Sequence, residues 1–367
     1  MATIERYSTA SGALLYSVRF RTPQHRQTRK RGFKTKREAE LFAATVEVSK
    51  AKGEYIGPSA GRLTIGELGP LWLARQHGHM KPSGFRSLDS AWTVHVAPRW
   101  GRVRISEVRF SDVQAWVSDL AATRRSTIVK TAHSVLARIL DDCVRDRQLA
   151  SNPAKGVKLP PRTPRKHVYL TADQLNALAD QSGRYHSLIL LLGVGGVRWG
   201  EAAALRVSDV DFLRRRITLH TNAVKVGGGF AVGSLKSNKS RTVVLPGFVI
   251  EALAQTAESR ARDDLLWPSA SGGYLAPPSS HDSWLSGAVG RCQKKDKSFP
   301  RVTAHGLRHT AASLAISAGA NPKVVQRMLG HASAAMTLDV YADLFDSDLD
   351  EVAVTVSKMC PQWADSQ

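Results

Sequence analysis

The sequence predicts a multidomain chain, mainly α with small β-sheets. It reads as an N-terminal three-stranded sheet plus helix, an all-α domain, and a larger α+β domain. Three observations carry that reading. Short strand-like runs separated by turn residues fill the first 33 positions. Helical periodicity runs from Leu63 to about Val157, and mixed strand and helix patterns follow from His167. At ~150 residues per domain, 367 residues suit two or three domains. The expected boundaries are 1–58, 63–157 and 165–360.

In the first segment, Thr3–Ser8, Ala13–Arg21 and Gln27–Phe33 are separated by Ser11-Gly12 and Thr22-Pro23, both turn formers. TKRE at 35–38 is a capping box, with Thr35 accepting and Glu38 reaching back. Ala39, Phe42, Ala43 and Val46 then follow at helical spacing on one apolar face. GEYIGPSAGR at 53–62 reads as a linker. In the second segment, TIGE at 64–67 and SDVQ at 111–114 are further capping boxes. Trp116, Leu120, Val135, Ile139 and Leu140 are its candidate core, and NPAKGVKLPPRTPRK at 152–166 is the clearest boundary. In the third, Thr171 and Gln174 cap a helix, and Tyr185–Leu192 is an apolar, buried helix. Arg216–Val226 and Gly233–Leu245 read as strands, after which helices resume. A tail with Leu349, Val352 and Val356 among acidic residues reads as a packed helix.

Charge narrows the function. The formal net charge is +21, from 52 basic and 31 acidic residues, which points to a polyanionic partner. Residues 1–60 carry 12 basic against 5 acidic side chains, 61–160 carry 16 against 8, and 161–367 carry 24 against 18. Every segment is basic, so the charge is not a tail on a neutral body. Nine of the first twelve basic residues precede position 37, in and around the strands, where a sheet can read a DNA groove. The longest uncharged apolar stretch, Ser187–Val197, is short of the ~20 residues a bilayer span needs. No signal-peptide pattern opens the chain. Cys143, Cys292 and Cys360 are far apart without C-x-x-C spacing, so a reducing cytoplasm is expected.

Four stretches carry the candidate chemistry: GGVRWGEAAAL at 195–205, SLKSNKSRTVVLP at 234–246, AHGLRHT at 304–310, and LGHASAAMTLDVYADL at 329–344. A planar guanidinium donates two parallel hydrogen bonds to phosphate oxygens, so Arg198 and Arg308 are suited to one phosphate. His305 lies three residues before Arg308, on the same helical face. His309 lies near that face too, and the His pair invites a zinc reading. Gly306 supplies no general base and no third ligand is evident, which argues against metal. Asn321-Pro322 starts a helix and Gly330 ends it, so His331 emerges just past a helix C-terminus. Tyr341 is a candidate nucleophile; its phenol has an ordinary pKa of ~10 and needs help to lose its proton. Lys236 is the candidate general acid, with Lys239 a rival nearby. Glu201 is placed to orient Arg198.

In this order the four stretches resemble the tyrosine recombinase family, the phage integrases, and the resemblance covers nearly the whole chain. It implies a catalytic set of Arg198, Lys236, His305, Arg308, His331 and Tyr341, with His309 in a supporting role. It implies strand cleavage through a 3′-phosphotyrosyl intermediate, exchange through a Holliday junction, and neither cofactor nor metal. The middle segment would be the helical, SAM-like core-binding domain. The N-terminal basic sheet resembles the arm-site binding domain of lambda-type and mycobacteriophage-type integrases. Implied partners are double-stranded DNA at core-type and arm-type attachment sites, a homotetramer on DNA, a host DNA-bending factor and an excisionase, with no membrane. The implied setting is the cytoplasm of a bacterial host, at the nucleoid. Gly195 stands where the family has Thr, and Ser237 where it has Thr; neither alters a charged role. Competing expectations are a type IB topoisomerase, a transposon-borne recombinase, and a non-catalytic DNA-binding protein of a decayed prophage.

Overall fold

The structure, a computed structural model, describes residues 2–22, 27–51, 55, 57, 60–161, 167–235, 240–278 and 281–345. The chain divides into two compact units, Met1–Pro164 and Arg165–Gln367.

The first unit opens with β1 (Thr3–Ser8), β2 (Leu14–Arg21) and β3 (Gln27–Phe33), an antiparallel meander in the order β1-β2-β3. The helix α1 (Lys36–Ala51) packs on one face. Alternation along β2 turns Val18 and Phe20 inward against Ala39 and Val46. Phe20 meets Phe42 and Tyr55 edge-on, each with ring centroids 5.9 Å apart. Arg19 and Arg29 are directly paired across the strands on the other face, and Glu5 bridges both, at 3.2 and 2.9 Å. Arg29 and Arg31 lie over the Tyr7 ring. At the start of α1, Thr35 accepts from the Glu38 N–H as expected. The Glu38 carboxylate instead accepts from the Lys34 N–H at 2.9 Å, one residue before the expected partner.

The same unit continues with α2 (Ile65–His77), α3 (Pro82–Ala91), a wide turn at Trp92–Val96, α4 (Ala97–Trp100), α5 (Phe110–Thr123) and α6 (Ser126–Arg145). Their shared core includes Trp72, Trp92, Trp100, Trp116, Val135, Ile139 and Leu140, while Leu120 is only partly buried against it. Gly69 is required here: a Cβ would come within 2.0 Å of the Trp92 indole. The Thr64/Glu67 capping box forms as expected. The one expected at 111–114 does not. Helix α5 begins at Phe110, so Ser111 lies inside the first turn and cannot cap it. Gln114 instead clasps the Lys158 backbone through two hydrogen bonds of 2.8 and 3.2 Å.

The second unit contains α7 (Ala172–Asp180), α8 (His186–Gly195), α9 (Trp199–Ala203), β4 (Val210–Asp211), β5 (Arg216–Leu219), β6 (Thr221–Val226), β7 (Gly229–Ser234), β8 (Arg241–Val244), α10 (Gly247–Ala257), α11 (Trp284–Lys295), α12 (Ala304–Ser317), α13 (Pro322–Leu329) and α14 (Ala334–Phe345). Buried α8 is the spine, packed against α7, α10 and α12. Leu188–Leu192 are all buried, and each such side chain contributes roughly 1.5–3 kcal/mol. The expected strand Arg216–Val226 divides at His220. β5 pairs with β4 and β8, while β6 pairs with β7. The expected strand Gly233–Leu245 is likewise two: β7 begins at Gly229, because Gly227-Gly228 makes a two-residue hairpin turn with Gly227 at φ 61°. The expected tail helix lies outside the described residues. Among the described residues no helix is long and apolar enough to cross a membrane.

Candidate active site

The site is assembled around the end of α13. Asn321 starts this helix, its side-chain oxygen accepting from the Lys323 and Val324 N–H groups at 3.0 Å, with Pro322 in the first turn. Gly330 ends it in the left-handed region at φ 64°, which leaves the last carbonyls open. Those carbonyls are taken by the two arginines. Arg308, from α12, donates to Leu329 O at 2.6 Å, and Arg198 donates to Gly330 O at 3.1 Å. A helix C-terminus favours cations, so the geometry draws both guanidinium groups to one place. His331 follows immediately.

Arg308 is 3 % exposed and its second bond goes to Gly196 O. Burial, with Arg198 nearby, pushes its pKa down to about 9, which still leaves it charged at neutral pH. Its hydrogen bonds run to backbone carbonyls, so its charge is solvated by dipoles. Gly196 caps α8 at φ 62°, and a Cβ there would meet Leu329 Cδ2 at 2.8 Å. That turn delivers Arg198 to the start of α9. Glu201, one turn on and 2 % exposed, accepts from the Arg198 backbone N–H at 2.8 Å and from Arg198 Nη1 at 2.9 Å. It also accepts two bonds from Arg241, at 2.8 and 2.6 Å. Burial raises the Glu201 pKa, but Arg241 and Arg198 outweigh it and hold the carboxyl below its ordinary range.

The histidines form a second group. His305, in the first turn of α12, is solvent-accessible, and partial desolvation with the adjacent Arg308 lowers its pKa. His309 lies between His305 and His167, with ring centroids 4.7 and 4.2 Å away. Its Nδ1 is 2.8 Å from Tyr341 Oη. Desolvation, then His167 and His305, push its pKa down to about 4. His331 Nδ1 is 2.9 Å from Thr337 Oγ1, and desolvation with Arg308 and Arg198 takes its pKa to about 4 as well. Both rings are therefore neutral near pH 7. Among the described residues no group of three or more His, Cys, Asp or Glu side chains is placed to hold a metal ion.

Tyr341, on α14, is 1 % exposed and packs with Ala312, Ile316, Val325 and Leu329. Burial, opposed by Arg308, pushes its phenol up to about 12. Its hydroxyl is hydrogen-bonded to His309 rather than to His305 or His331. Of the six expected site residues, Arg198, Arg308 and His331 meet at the end of α13. His305 and Tyr341 are linked through His309. Lys236 and its rival Lys239 lie outside the described residues, between β7 and β8. Sequence reasoning gave His309 only a supporting role and did not weigh Arg241, which stands two residues beyond Lys239 in the same basic stretch.

Two arginines, a neutral histidine and a tyrosine are thus gathered around one helix end, an arrangement able to donate several hydrogen bonds to a single anion. Residues 169–348 belong to the Phage integrase family and residues 11–50 match an Arm DNA-binding domain, and the chain is a tyrosine-type site-specific recombinase. It is 24% identical over 313 residues to the integrase of Mycobacterium phage L5, covering 82% of this chain and 81% of that one. It is 25% identical over 320 residues to the putative prophage phiRv2 integrase of Mycobacterium tuberculosis (strain ATCC 25618 / H37Rv), covering 85% and 82%. The fold matches the Tn1549 transposon integrase in complex with a circular intermediate DNA, with a TM-score of 0.68 at 19% identity over 79% of this chain and 99% of that one. It also matches a lambda integrase dimer bound to a core site, with a TM-score of 0.58 at 14% identity over 91% and 93%.

Proposed function

We propose that this recombinase integrates phage DNA by cutting and rejoining duplex DNA at attachment sites, with Tyr341 as the nucleophile. The observation that carries this reading is the pairing of Arg198 and Arg308 at the adjacent carbonyls of Gly330 and Leu329. Two guanidinium groups held there can grip the non-bridging oxygens of one phosphodiester and stabilise the charge that develops on them. His331 donates a further hydrogen bond to that phosphate. Tyr341 Oη attacks phosphorus, forming the 3′-phosphotyrosyl bond as the bond to the 5′ oxygen breaks. That oxygen leaves as a hydroxyl, taking its proton from Lys236. A 5′ hydroxyl from the partner duplex then attacks the phosphotyrosine, restoring the backbone and the free phenol. Two such rounds proceed through a Holliday junction. The phenol proton passes to a base at the site, His305 or a water.

The remaining assignments follow the same reading. Residues 1–58 bind arm-type DNA, 63–157 and 165–360 clamp the core site, and four copies assemble on two duplexes. A DNA-bending host factor and an excisionase set the direction, within the cytoplasm at the nucleoid.

The test is a nicked core-site duplex that traps the covalent intermediate. Wild-type protein is expected to yield a DNA–protein adduct on a denaturing gel, and Tyr341→Phe none. No adduct with wild type, or an adduct that persists in Tyr341→Phe, overturns the mechanism.

A further inference from the structure

Glu201 poses a problem for the site. A buried carboxylate beside a phosphate-gripping arginine competes with the phosphate for that arginine. Both are acceptors matched to the same planar fork. Left to itself, Glu201 would draw Arg198 into a bidentate pair and turn its donors away from DNA.

We propose that Arg241 is a positioning residue that holds the Glu201 carboxylate and so leaves Arg198 free for the scissile phosphate. This rests on the mechanism proposed above. The hydrogen bonds divide in the required way. Arg241 takes the fork, with Nη1 to Oε1 at 2.8 Å and Nη2 to Oε2 at 2.6 Å. The Arg198 side chain has only Nη1 to Oε1 at 2.9 Å, while its backbone N–H occupies Oε2. Exposure follows the same order: the side chains of Glu201, Arg241 and Arg198 are 2, 14 and 33 % exposed. Arg241 backs the carboxylate from the interior, and Arg198 reaches the solvent side where DNA would lie.

The fold makes room for this. Arg241 opens β8, directly opposite Leu219 of β5, which fixes its Cα. Its guanidinium passes beside Gly330, where a Cβ would lie 2.9 Å from its Cδ, Nε and Cζ atoms. Gly330 therefore serves two ends: it turns the chain after α13, and it lets Arg241 reach Glu201. The charge balance agrees. Arg198, Arg241 and Arg308 surround one carboxylate, a surplus of two positive charges, facing a transition state that carries about two negative charges.

The test compares adduct formation by full-length variants on the same nicked duplex, taken from the junction between the integrated element and its chromosome. Arg241→Met is expected to slow adduct formation about 100-fold at saturating DNA, the scale of losing one preorganised donor. Arg241→Lys, which keeps the charge and loses the fork, is expected to fall between Met and wild type. The decisive variant is Arg241→Met/Glu201→Gln. A neutral amide does not capture Arg198, so the double variant is expected to run about tenfold or more faster than Arg241→Met alone. Thermal melting checks that each variant is folded. If Arg241→Met does not fold, Arg241→Lys against Arg241→Lys/Glu201→Gln asks the same question. A purely structural role for Arg241 predicts the reverse, since a second buried defect adds to the first. Wild-type rates in Arg241→Met, or a double variant no faster than the single, overturn the inference while leaving the mechanism standing. Absence of adduct with wild type removes both.

Discussion

Tyr341 is a poor nucleophile as it stands, because a phenol pushed up to about 12 is almost wholly protonated at neutral pH. Its hydroxyl is not loose, however. With the His309 proton on Nε2, Nδ1 accepts the phenol hydrogen at 2.8 Å. Replacing His309 with Phe keeps the ring and removes the hydrogen bond that orients the phenol, and is expected to slow adduct formation roughly 10- to 100-fold, measured on the nicked duplex. The same residues set an acid limit. His309 and His331 have pKa values of about 4 in the folded chain against an ordinary 6.5, so the unfolded chain binds protons first as pH falls. Their neutral, folded state is favoured above pH 6.5 and is progressively lost between about 6.5 and 4. The melting temperature is expected to drop across that window, and to drop less in a His309→Gln/His331→Gln variant. An unchanged profile in that variant refutes the assignment. The sequence showed that His305 and His309 share a helix. It could not show which one meets Tyr341, because that depends on how α14 packs on α12.

At the scale of elements, two glycine turns aim the arginines. Gly196 and Gly330 both lie in the left-handed region, and a Cβ at either would enter an occupied space. Gly196→Ala adds backbone strain of order 1 kcal/mol or more and presses on Leu329, whose carbonyl Arg308 holds. It is expected to lower both the melting temperature and the rate of cleavage. Asn321→Ala removes only a cap and is expected to cost about 1 kcal/mol by denaturant unfolding. The Asn-Pro start and glycine stop of α13 were legible, since capping is a local rule. The SDVQ box failed for a related reason: a helix beginning two residues earlier takes the cap away, and the Gln114 side chain bonds the distant Lys158 backbone instead. The split of β5 from β6 was hidden as well. Strand partners are chosen by residues distant in sequence.

For the whole molecule, the basic charge of every segment foretold a polyanion, and the sheet face carrying Arg19, Arg29 and Arg31 is where the first segment presents it. Replacing these three with Ala in the full chain is expected to weaken binding to arm-type DNA. It should also flatten the dependence of log K on log salt by about 0.9 for each phosphate no longer neutralised. A salt slope equal to wild type means that this face does not bind the backbone. The same variant is expected to cleave a nicked core-site duplex, which tests whether arm binding and catalysis are separate tasks.

The sequence by itself determined the class of enzyme and named Arg198, Arg308 and His331, which meet at the end of α13. Residue type, capping and periodicity are local, and the spacing of Arg198, Arg308, His331 and Tyr341 survives in one dimension. Only the tertiary structure decided the pairings: Arg308 with Gly196 and Leu329, Tyr341 with His309, and Glu201 shared between Arg198 and Arg241. Those pairings join positions up to 112 residues apart, as between Arg308 and Gly196. They are fixed by the packing of α12 on α8 and of α14 on α12 and α13, where burial gives each charge or phenol the environment that sets its reactivity.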